Sequence, residues 1–360
     1  MSRTTLNIAT ELERFDGTAP IGSALTPPAS WYTTDAFYDL ERESVFRTQW
    51  QFVGRTDQLK KAGDFFSGLF MGLPYVVVRT EEGEIKAYYN VCSHHGTCVA
   101  KGEGNCAQFV CPYHGWVYNL TGKLKRAPRA GAIASFKTRN LDLKPIPVDT
   151  WGPLVALHFG TPQGTPTAQL APLLEAFQSN PFVGMQFIRR VPYEIPCNWK
   201  VFVDNYLDGG YHVPHMHPDL SGNLDIASYK TTLGDRWSMQ ACNGKEDARV
   251  GDQADYAWIY PNFMVDRYGP WLNTITVVPV SAHRCITLID YFYEGTPEEE
   301  FLKSSLKDSD KVQQEDMEIC HMVQTGLNSG VYQQGIYAPK FEGSMYQFHK
   351  LLSADLRSAV

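Results

Sequence analysis

Two short segments, Cys92-Ser93-His94 and Cys111-Pro112-Tyr113-His114, each carry one thiol and one imidazole, and sixteen residues lie between them. That arrangement constrains the fold more than any other feature of the chain. Four such side chains serve one metal centre only if two loops meet, so the surrounding segments must be short and must double back. The local texture agrees. "PYVVVRTEEGEIKAYYNV" reads as a hairpin turning at Glu82-Gly83, and "FVCPYHGWVYNLTGKL" as another turning at Thr121-Gly122. Gly96 and Gly115 follow the two histidines closely, where the backbone has to wrap tightly.

Structural zinc sites usually draw on C-x-x-C or H-x-x-x-H pairs, whereas here each loop offers one sulfur and one nitrogen. Mixed pairs suit a Rieske [2Fe–2S] cluster, with Cys92 and Cys111 on one iron and His94 and His114 on the other. Eight cysteines in a chain expected to be cytosolic read as thiols or metal ligands rather than disulfides. Cys197, Cys242, Cys285 and Cys320 are scattered and read as ordinary buried thiols, and Cys98 and Cys106 receive no role.

A second cluster of ionisable groups lies in "VDNYLDGGYHVPHMHPD", Val203 to Asp219. His212 and His217 are five apart, which on an unbroken helix turns them about 140° away from each other. Pro214 is expected to end a helix just after His212 and let His217 swing back. His215 falls inside that break and is left out. Asp208, four residues before His212, is expected on the same helical face, within reach of that imidazole. Asp204 reads as a capping or surface residue and Asn205 as a neighbour of the site. Two histidines and a carboxylate make the facial triad of non-haem Fe(II). Zinc hydrolysis is the rival chemistry, but H-x-x-x-x-H lacks the zincin spacing and glutamate. The carboxylate is sought in "DKVQQEDMEICHMVQTGL". Its apolar stripe of Val312, Ile319, Val323 and Leu327 takes in Asp316, while Glu315 and Glu318 read as solvated. Asp308, nearer the N-terminus on the same stripe, is the second candidate.

Residues 1–30 read as an irregular arm, 34–50, 171–180 and 199–212 as helices, and 300–328 as one long helix. The segments 237–243, 256–264, 271–279 and 284–293 read as strands of an antiparallel sheet. This gives an α+β chain in three parts: an arm and helix over 1–50, an all-β Rieske domain over 51–160, and a catalytic mononuclear iron domain over 161–360. The net charge of −7 and the lack of a basic run argue against nucleic acid, and no apolar stretch approaches a membrane span. Glu11, Glu13 and Asp16 in the first twenty residues speak against a targeting peptide.

On these motifs the chain resembles the Rieske non-haem iron oxygenases. "NWKVFVDNYLDGGYHVPHMH", "WIYPNFMVDRYGPW", "QEDMEICHMVQTGL" and "YQFHKLL" narrow the resemblance to the choline monooxygenase-like group. It implies a catalytic half of helix-grip fold and a ring-shaped homotrimer. Electrons would come from NAD(P)H through a separate reductase, with a ferredoxin between them in some systems. It implies iron on His212, His217 and Asp316, a bridging role for Asp208 between the two centres, and arginine more often than a histidine such as His95 beside the cluster. The expected reaction is O₂-dependent hydroxylation of an N-alkyl carbon, often ending in N-dealkylation. The aromatic segment Tyr256–Trp271 offers ring faces for a cation, though sheet packing accounts for most of its rings. A ring-dihydroxylating dioxygenase is the first alternative. A Rieske electron carrier or ligand-binding module is the second, and it leaves the iron triad without a purpose.

Overall fold

The computed structural model describes residues 6–131, 136, 140–177, 180–246, 248 and 250–360. The chain divides into two units, one of Phe46–Gln169 and the other of Met1–Val45 with Leu170–Val360. The N-terminal segment read as a separate arm therefore belongs to the larger unit. It contains short helices at Ile8–Glu13 and Ser30–Thr33.

The smaller unit is built from antiparallel strands. A five-stranded sheet runs in the order Glu103–Asn105, Asp64–Phe70, Leu73–Arg79, Ile85–Tyr89, Pro145–Ile146. The first predicted hairpin sits at its centre with Val77 opposite Ala87, and Gly83 takes a φ of 84° in its turn. The second pairs Val117–Tyr118 with Leu124–Arg126 around Gly122, whose missing Cβ leaves room for the Tyr88 ring. Val76, Val78, Trp116, Tyr118 and Leu143 form a core that also encloses Cys92 and Cys111.

In the larger unit a seven-stranded antiparallel sheet holds a long helix. In chain order the strands are β1 (Met185–Ile195), β2 (Leu224–Leu233), β3 (Trp237–Gly244), β4 (Gln253–Ile259), β5 (Phe263–Tyr268), β6 (Trp271–Ser281) and β7 (Arg284–Glu294). Their spatial order is β1-β7-β6-β5-β4-β3-β2. The segment read as one strand over 256–264 is two, β4 and β5, joined through Tyr260-Pro261. The two edge strands lie outside the expected set: β1 and β2 alternate burial weakly and carry exposed charge such as Lys230.

Three helices support the sheet and its contents: α1 (Asp35–Glu41), α2 (Trp199–Tyr206) and α3 (Glu299–Asn328). The helix expected over 34–50 is α-helical only as far as Glu41 and ends in a π turn at Arg42–Phe46. The one expected over 171–180 spans Pro166–Ala176; residues 178 and 179 lie outside the described residues. A further helix, Gly343–Arg357, closes the unit. Helix α2 packs on α3 and on β6 and β7. The buried face of α3 is Leu306, Asp316, Cys320, Gln324 and Leu327, rotated from the expected stripe; Val323 is 45% exposed. Polar anchoring explains the rotation, since Gln324 accepts from the Asn198 backbone N–H at 2.7 Å.

The start of α2 is tied down by charge in the interior. Asn198 caps it, accepting from Lys200 N–H at 3.1 Å. Lys200 is fully buried, and its Nζ lies 2.5 Å from Glu41 Oε1 on α1, while Trp199 Nε1 donates to Glu41 Oε2 at 2.7 Å. Burial pushes the Glu41 carboxyl up and the Lys200 ammonium down from their ordinary values, each opposed by the partner's charge. Glu41→Gln strands the buried ammonium, and we expect about 3–5 kcal/mol of lost stability in denaturant unfolding. Glu300→Gln, on the exposed end of α3, is the control and should stay within about 0.5 kcal/mol.

Candidate active site and metal centres

The two Cys/His loops are built alike. Cys92 N–H donates to Thr97 O and Gly96 N–H to Cys92 O; Cys111 N–H donates to Trp116 O and Gly115 N–H to Cys111 O. Gly96 and Gly115 take φ of 78° and 68°, closing each loop over its own cysteine. Both thiols are 2% exposed, and the Tyr118 hydroxyl lies 3.3 Å from Cys92 Sγ. The imidazoles stand at the surface with His94 Nδ1 and His114 Nδ1 3.1 Å apart. Desolvation, with the charges of His95 and His114, holds the His94 imidazole below its ordinary value, favouring the neutral form. His95, at the place where the resemblance more often has arginine, lies against them with its ring centroid 3.9 Å from that of His94.

The second centre begins where α2 stops. The helix expected to reach His212 ends at Tyr206, and Asp208 and His212 share a turn rather than a helical face. Gly209 and Gly210, at φ of 74° and 72°, make that turn. A Cβ on Gly209 would sit 2.2 Å from the Phe341 carbonyl, so no other residue fits. The Asp208 carboxylate organises the segment: Oδ1 accepts from the N–H groups of Gly210 and Tyr211, and Oδ2 from the His212 N–H at 3.0 Å. The same Oδ2 lies 2.6 Å from His212 Nδ1. A short helix, Val213–Met216, with Pro214 in its first turn, then delivers His217.

His212, His217 and Asp316 converge, each offering one donor atom, with all three atoms within 4.8 Å of one another. His217 Nε2 is 3.1 Å and His212 Nε2 3.8 Å from Asp316 Oδ1. Asn205 Nδ2 donates to that same oxygen at 2.7 Å. His215 is exposed and outside the group, as is Asp308, the second candidate for the carboxylate.

Two expectations fail here. Glu315, read as solvated, lies 2.7 Å from His217 Nδ1 and is only 24% exposed. Its backbone position one residue before Asp316 leaves it beside the buried face, and His217 fills the space above it. Asp204, read as a cap or surface residue, accepts from Tyr32 Oη at 2.8 Å and meets His349 Nε2 at 2.9 Å. Each histidine of the group thus has a carboxylate on Nδ1, which fixes the tautomer and turns Nε2 towards Asp316.

A cavity of about 120 Å³ adjoins His212, His217 and Asp316, walled by Phe202, Tyr206, Tyr229, Tyr256 and Ile275, with Asp266 at its edge. Of the aromatic rings in Tyr256–Trp271, that of Tyr256 reaches this cavity; Trp258, Tyr260, Phe263 and Trp271 are buried in packing. Burial pushes the Asp266 carboxyl up to about 7; the Tyr206 hydroxyl opposes this and the charge of Asp316 adds to it. A larger cavity of about 480 Å³ is bordered by Asp208, Asp204, Tyr32, Glu342 and His349 but by neither His212 nor His217. Among the described residues no helix is long and apolar enough to cross a membrane.

Comparison with known proteins assigns the class. Residues 49–137 match the Rieske [2Fe-2S] domain, and residues 184–357 match the catalytic domain of the ring hydroxylating alpha subunit. A Rieske oxygenase, an oxidoreductase with a [2Fe–2S] cluster and a mononuclear iron, is the class these two domains define. Choline monooxygenase of Arabidopsis thaliana, a chloroplastic protein, is 42% identical over 98% of this chain and 87% of its own length. The carnitine monooxygenase oxygenase subunit of Escherichia coli (strain K12) is 29% identical over 92% of this chain and 93% of its own. Among solved structures, the quaternary ammonium Rieske monooxygenase CntA in complex with L-carnitine superposes with a TM-score of 0.82 at 25% identity, covering 93% of this chain and 96% of that one. Naphthalene 1,2-dioxygenase from Rhodococcus sp. shares the fold, with a TM-score of 0.77 at 18% identity over 92% of this chain and 94% of its own. The chain belongs to the choline monooxygenase family of Rieske oxygenases.

Burial pushes the His217 imidazole down, but hydrogen bonds and charge from Asp316 and Glu315 outweigh it and leave the pKa above the ordinary 6.5. In iron-free protein a raised folded pKa stabilises the fold below the unfolded pKa, and that stability is lost as pH rises through the folded value. Proton NMR of chelator-treated protein should therefore show His217 titrating above 6.5, and Glu315→Gln should bring the midpoint down. An unchanged midpoint would remove Glu315 from this role.

Proposed function

We propose that this chain is the oxygenase component of a multicomponent system that hydroxylates a nitrogen-bound carbon of a choline-like substrate. His212, His217 and Asp316 would hold the iron, and Cys92, His94, Cys111 and His114 the cluster. The observation that carries the reading is the convergence of the His-His-Asp group beside a small, aromatic-walled cavity. The donor sets fit the two groups: buried sulfurs beneath surface imidazoles in one, and two imidazoles with a carboxylate in the other. When bound, the cluster supplies single electrons and the iron supplies the O₂ chemistry that hydroxylates a C–H bond.

The protein's own part is orientation. Asp208 and Glu315 hold the Nδ1 protons of His212 and His217, keeping each Nε2 free to ligate. Asn205 fixes Asp316 by donating to Oδ1. The apolar walls, Phe202 and Ile275 among them, exclude water around the reacting carbon. Asp208 also borders the larger cavity, which supports its assignment as the link towards a cluster histidine of a neighbouring subunit in a homotrimer. Electrons enter from NAD(P)H through a separate reductase, with or without a ferredoxin. The identity with choline monooxygenase supports a quaternary ammonium substrate. Hydroxylation of an N-methyl group of such a substrate gives an N-hydroxymethylammonium, whose hydroxyl loses its proton as the C–N bond breaks, releasing formaldehyde and the tertiary amine.

His212→Ala, His217→Ala and Asp316→Ala should each lose the mononuclear iron and keep the cluster spectrum, whereas His215→Ala keeps both. Glu315→Gln should weaken iron binding by about 10–100-fold, with the exposed Glu318→Gln unaffected. Asp208→Asn should retain the cluster and turn over far more slowly than its iron content predicts. With reductant and O₂, quaternary ammonium and N-methyl compounds should yield trapped aldehyde. Conversion of arenes to cis-diols with every N-alkyl compound untouched would overturn the reading in favour of a dioxygenase.

A further inference from the structure

Asp266 is a buried carboxylate at the edge of the small cavity, 7% exposed, on the central strand β5. The strand register explains its setting. Asp266 lies opposite Tyr256 on β4, and Tyr256 lies opposite Gln240 on β3, so the three share one cross-strand row. The Tyr206 hydroxyl, from α2, donates to Asp266 Oδ1 at 2.6 Å. Among the described residues no lysine, arginine or histidine pairs with Asp266, and the charge that acts on it is the like charge of Asp316. A buried carboxylate without a cationic partner is costly, and one hydroxyl donor does not replace a counter-charge. The side chains around it are the kind that accept a soft cation: Tyr206, Tyr229 and Tyr256 line the same cavity.

We propose that Asp266 is the charge-selecting residue of the substrate cavity, and that with Tyr206, Tyr229 and Tyr256 it admits a cationic N-methyl group in preference to a neutral one of the same shape. This rests on the function proposed above and assigns the substrate's charge to a residue. The chemistry is specific to a cation lacking N–H groups. A quaternary ammonium cannot donate a hydrogen bond, so a carboxylate engages it through charge alone. Asp266 is suited to that, because Tyr206 already holds one oxygen in place. A primary or secondary ammonium would gain instead from donating directly to the carboxylate. The tyrosines contribute through their rings, and their hydroxyls have other tasks: Tyr206 Oη is engaged with Asp266, and Tyr229 Oη approaches Gln240 Oε1 at 3.5 Å.

The alternative is that Asp266 and Tyr206 merely brace α2 against the sheet. A brace affects every ligand alike, whereas a counter-charge distinguishes ligands by charge. The test is equilibrium binding of choline and of its uncharged carbon isostere, 3,3-dimethyl-1-butanol, to the iron- and cluster-loaded protein. Wild type should bind choline at least about tenfold more tightly than the isostere, equivalent to about 1.4 kcal/mol. Asp266→Asn should lose about tenfold or more in choline affinity and change the isostere less than about twofold, with iron content and cluster spectrum preserved. Wild type binding both ligands equally overturns the proposal without any variant, which covers the case in which Asp266→Asn does not fold. Equal losses for both ligands in Asp266→Asn overturn it in favour of the brace. Failure of the reaction itself is distinguishable: choline binding that depends on Asp266, with no quaternary ammonium compound oxidised, sinks the proposed function and leaves the charge selection standing.

Discussion

Everything at the mononuclear centre depends on what the Asp208 carboxylate does to the end of one helix. Its two oxygens accept from three successive backbone N–H groups and meet the His212 ring as well. The peptide groups of the Gly209-Gly210 turn would otherwise be left unsatisfied in a buried place. The glycines are the complement of that carboxylate. The Phe341 carbonyl and the Tyr229 ring occupy the space where their side chains would be. One acidic side chain and two absent ones therefore set the direction in which His212 points, and the Val213–Met216 turn then sets His217 against it at a ring-centroid distance of 5.1 Å.

Helix α2 extends this logic along its length. Asn198 caps it and also bonds Ala282, Lys200 pairs with Glu41, Asp204 meets Tyr32 and His349, Asn205 holds Asp316, and Tyr206 holds Asp266. Burying so many polar groups contributes little net stability, because desolvation cancels most of each gain. What it confers is position. A helix packed only by apolar contacts can slide or rotate by small amounts, whereas one fixed at five polar points over the nine residues from Asn198 to Tyr206 cannot. Ligand geometry needs to be held within about half an ångström, so rigidity is the return on that buried polarity.

The parts of the site legible in the sequence are those encoded by spacing. Cys92, His94, Cys111 and His114 stand in two loops whose turn residues are local signals, and His212 with His217 is a local motif. Asp316 is reachable because a charged residue on an otherwise apolar helical stripe is conspicuous. What escapes is long-range. Glu315 read as solvated and Asp204 as a cap or surface residue because their partners, His217 and His349, lie 98 and 145 residues away. The end of α2 is misjudged because Pro214 is the stronger helix breaker by rule, while Gly-Gly together with an Asp acceptor is the stronger one in this setting. The edge strands β1 and β2 escape because a half-exposed strand has no apolar alternation to read. Asp266 is hidden inside a segment whose aromatic content draws the eye to its rings.

The charge balance of the small cavity explains why its two recognition tasks belong together. Asp208, Asp316, Glu315 and Asp266 all approach one region, and among the described residues they are met by two imidazoles and, 3.9 Å from Glu315 Oε1, by Lys311. Asp208 and Glu315 are engaged by histidine Nδ1, and Asp316 by Asn205 and His217 Nε2, which leaves Asp316 open to an ion and Asp266 with a single tyrosine hydroxyl. Like charges in a dry site repel strongly, and Asp316 does raise the Asp266 carboxyl. On the proposed assignment a metal dication satisfies the first of these and an alkylammonium group the second. An ion at Asp316 would remove the like charge that opposes ionisation of Asp266, which keeps the Asp266 carboxylate available to the ammonium without any movement of the backbone.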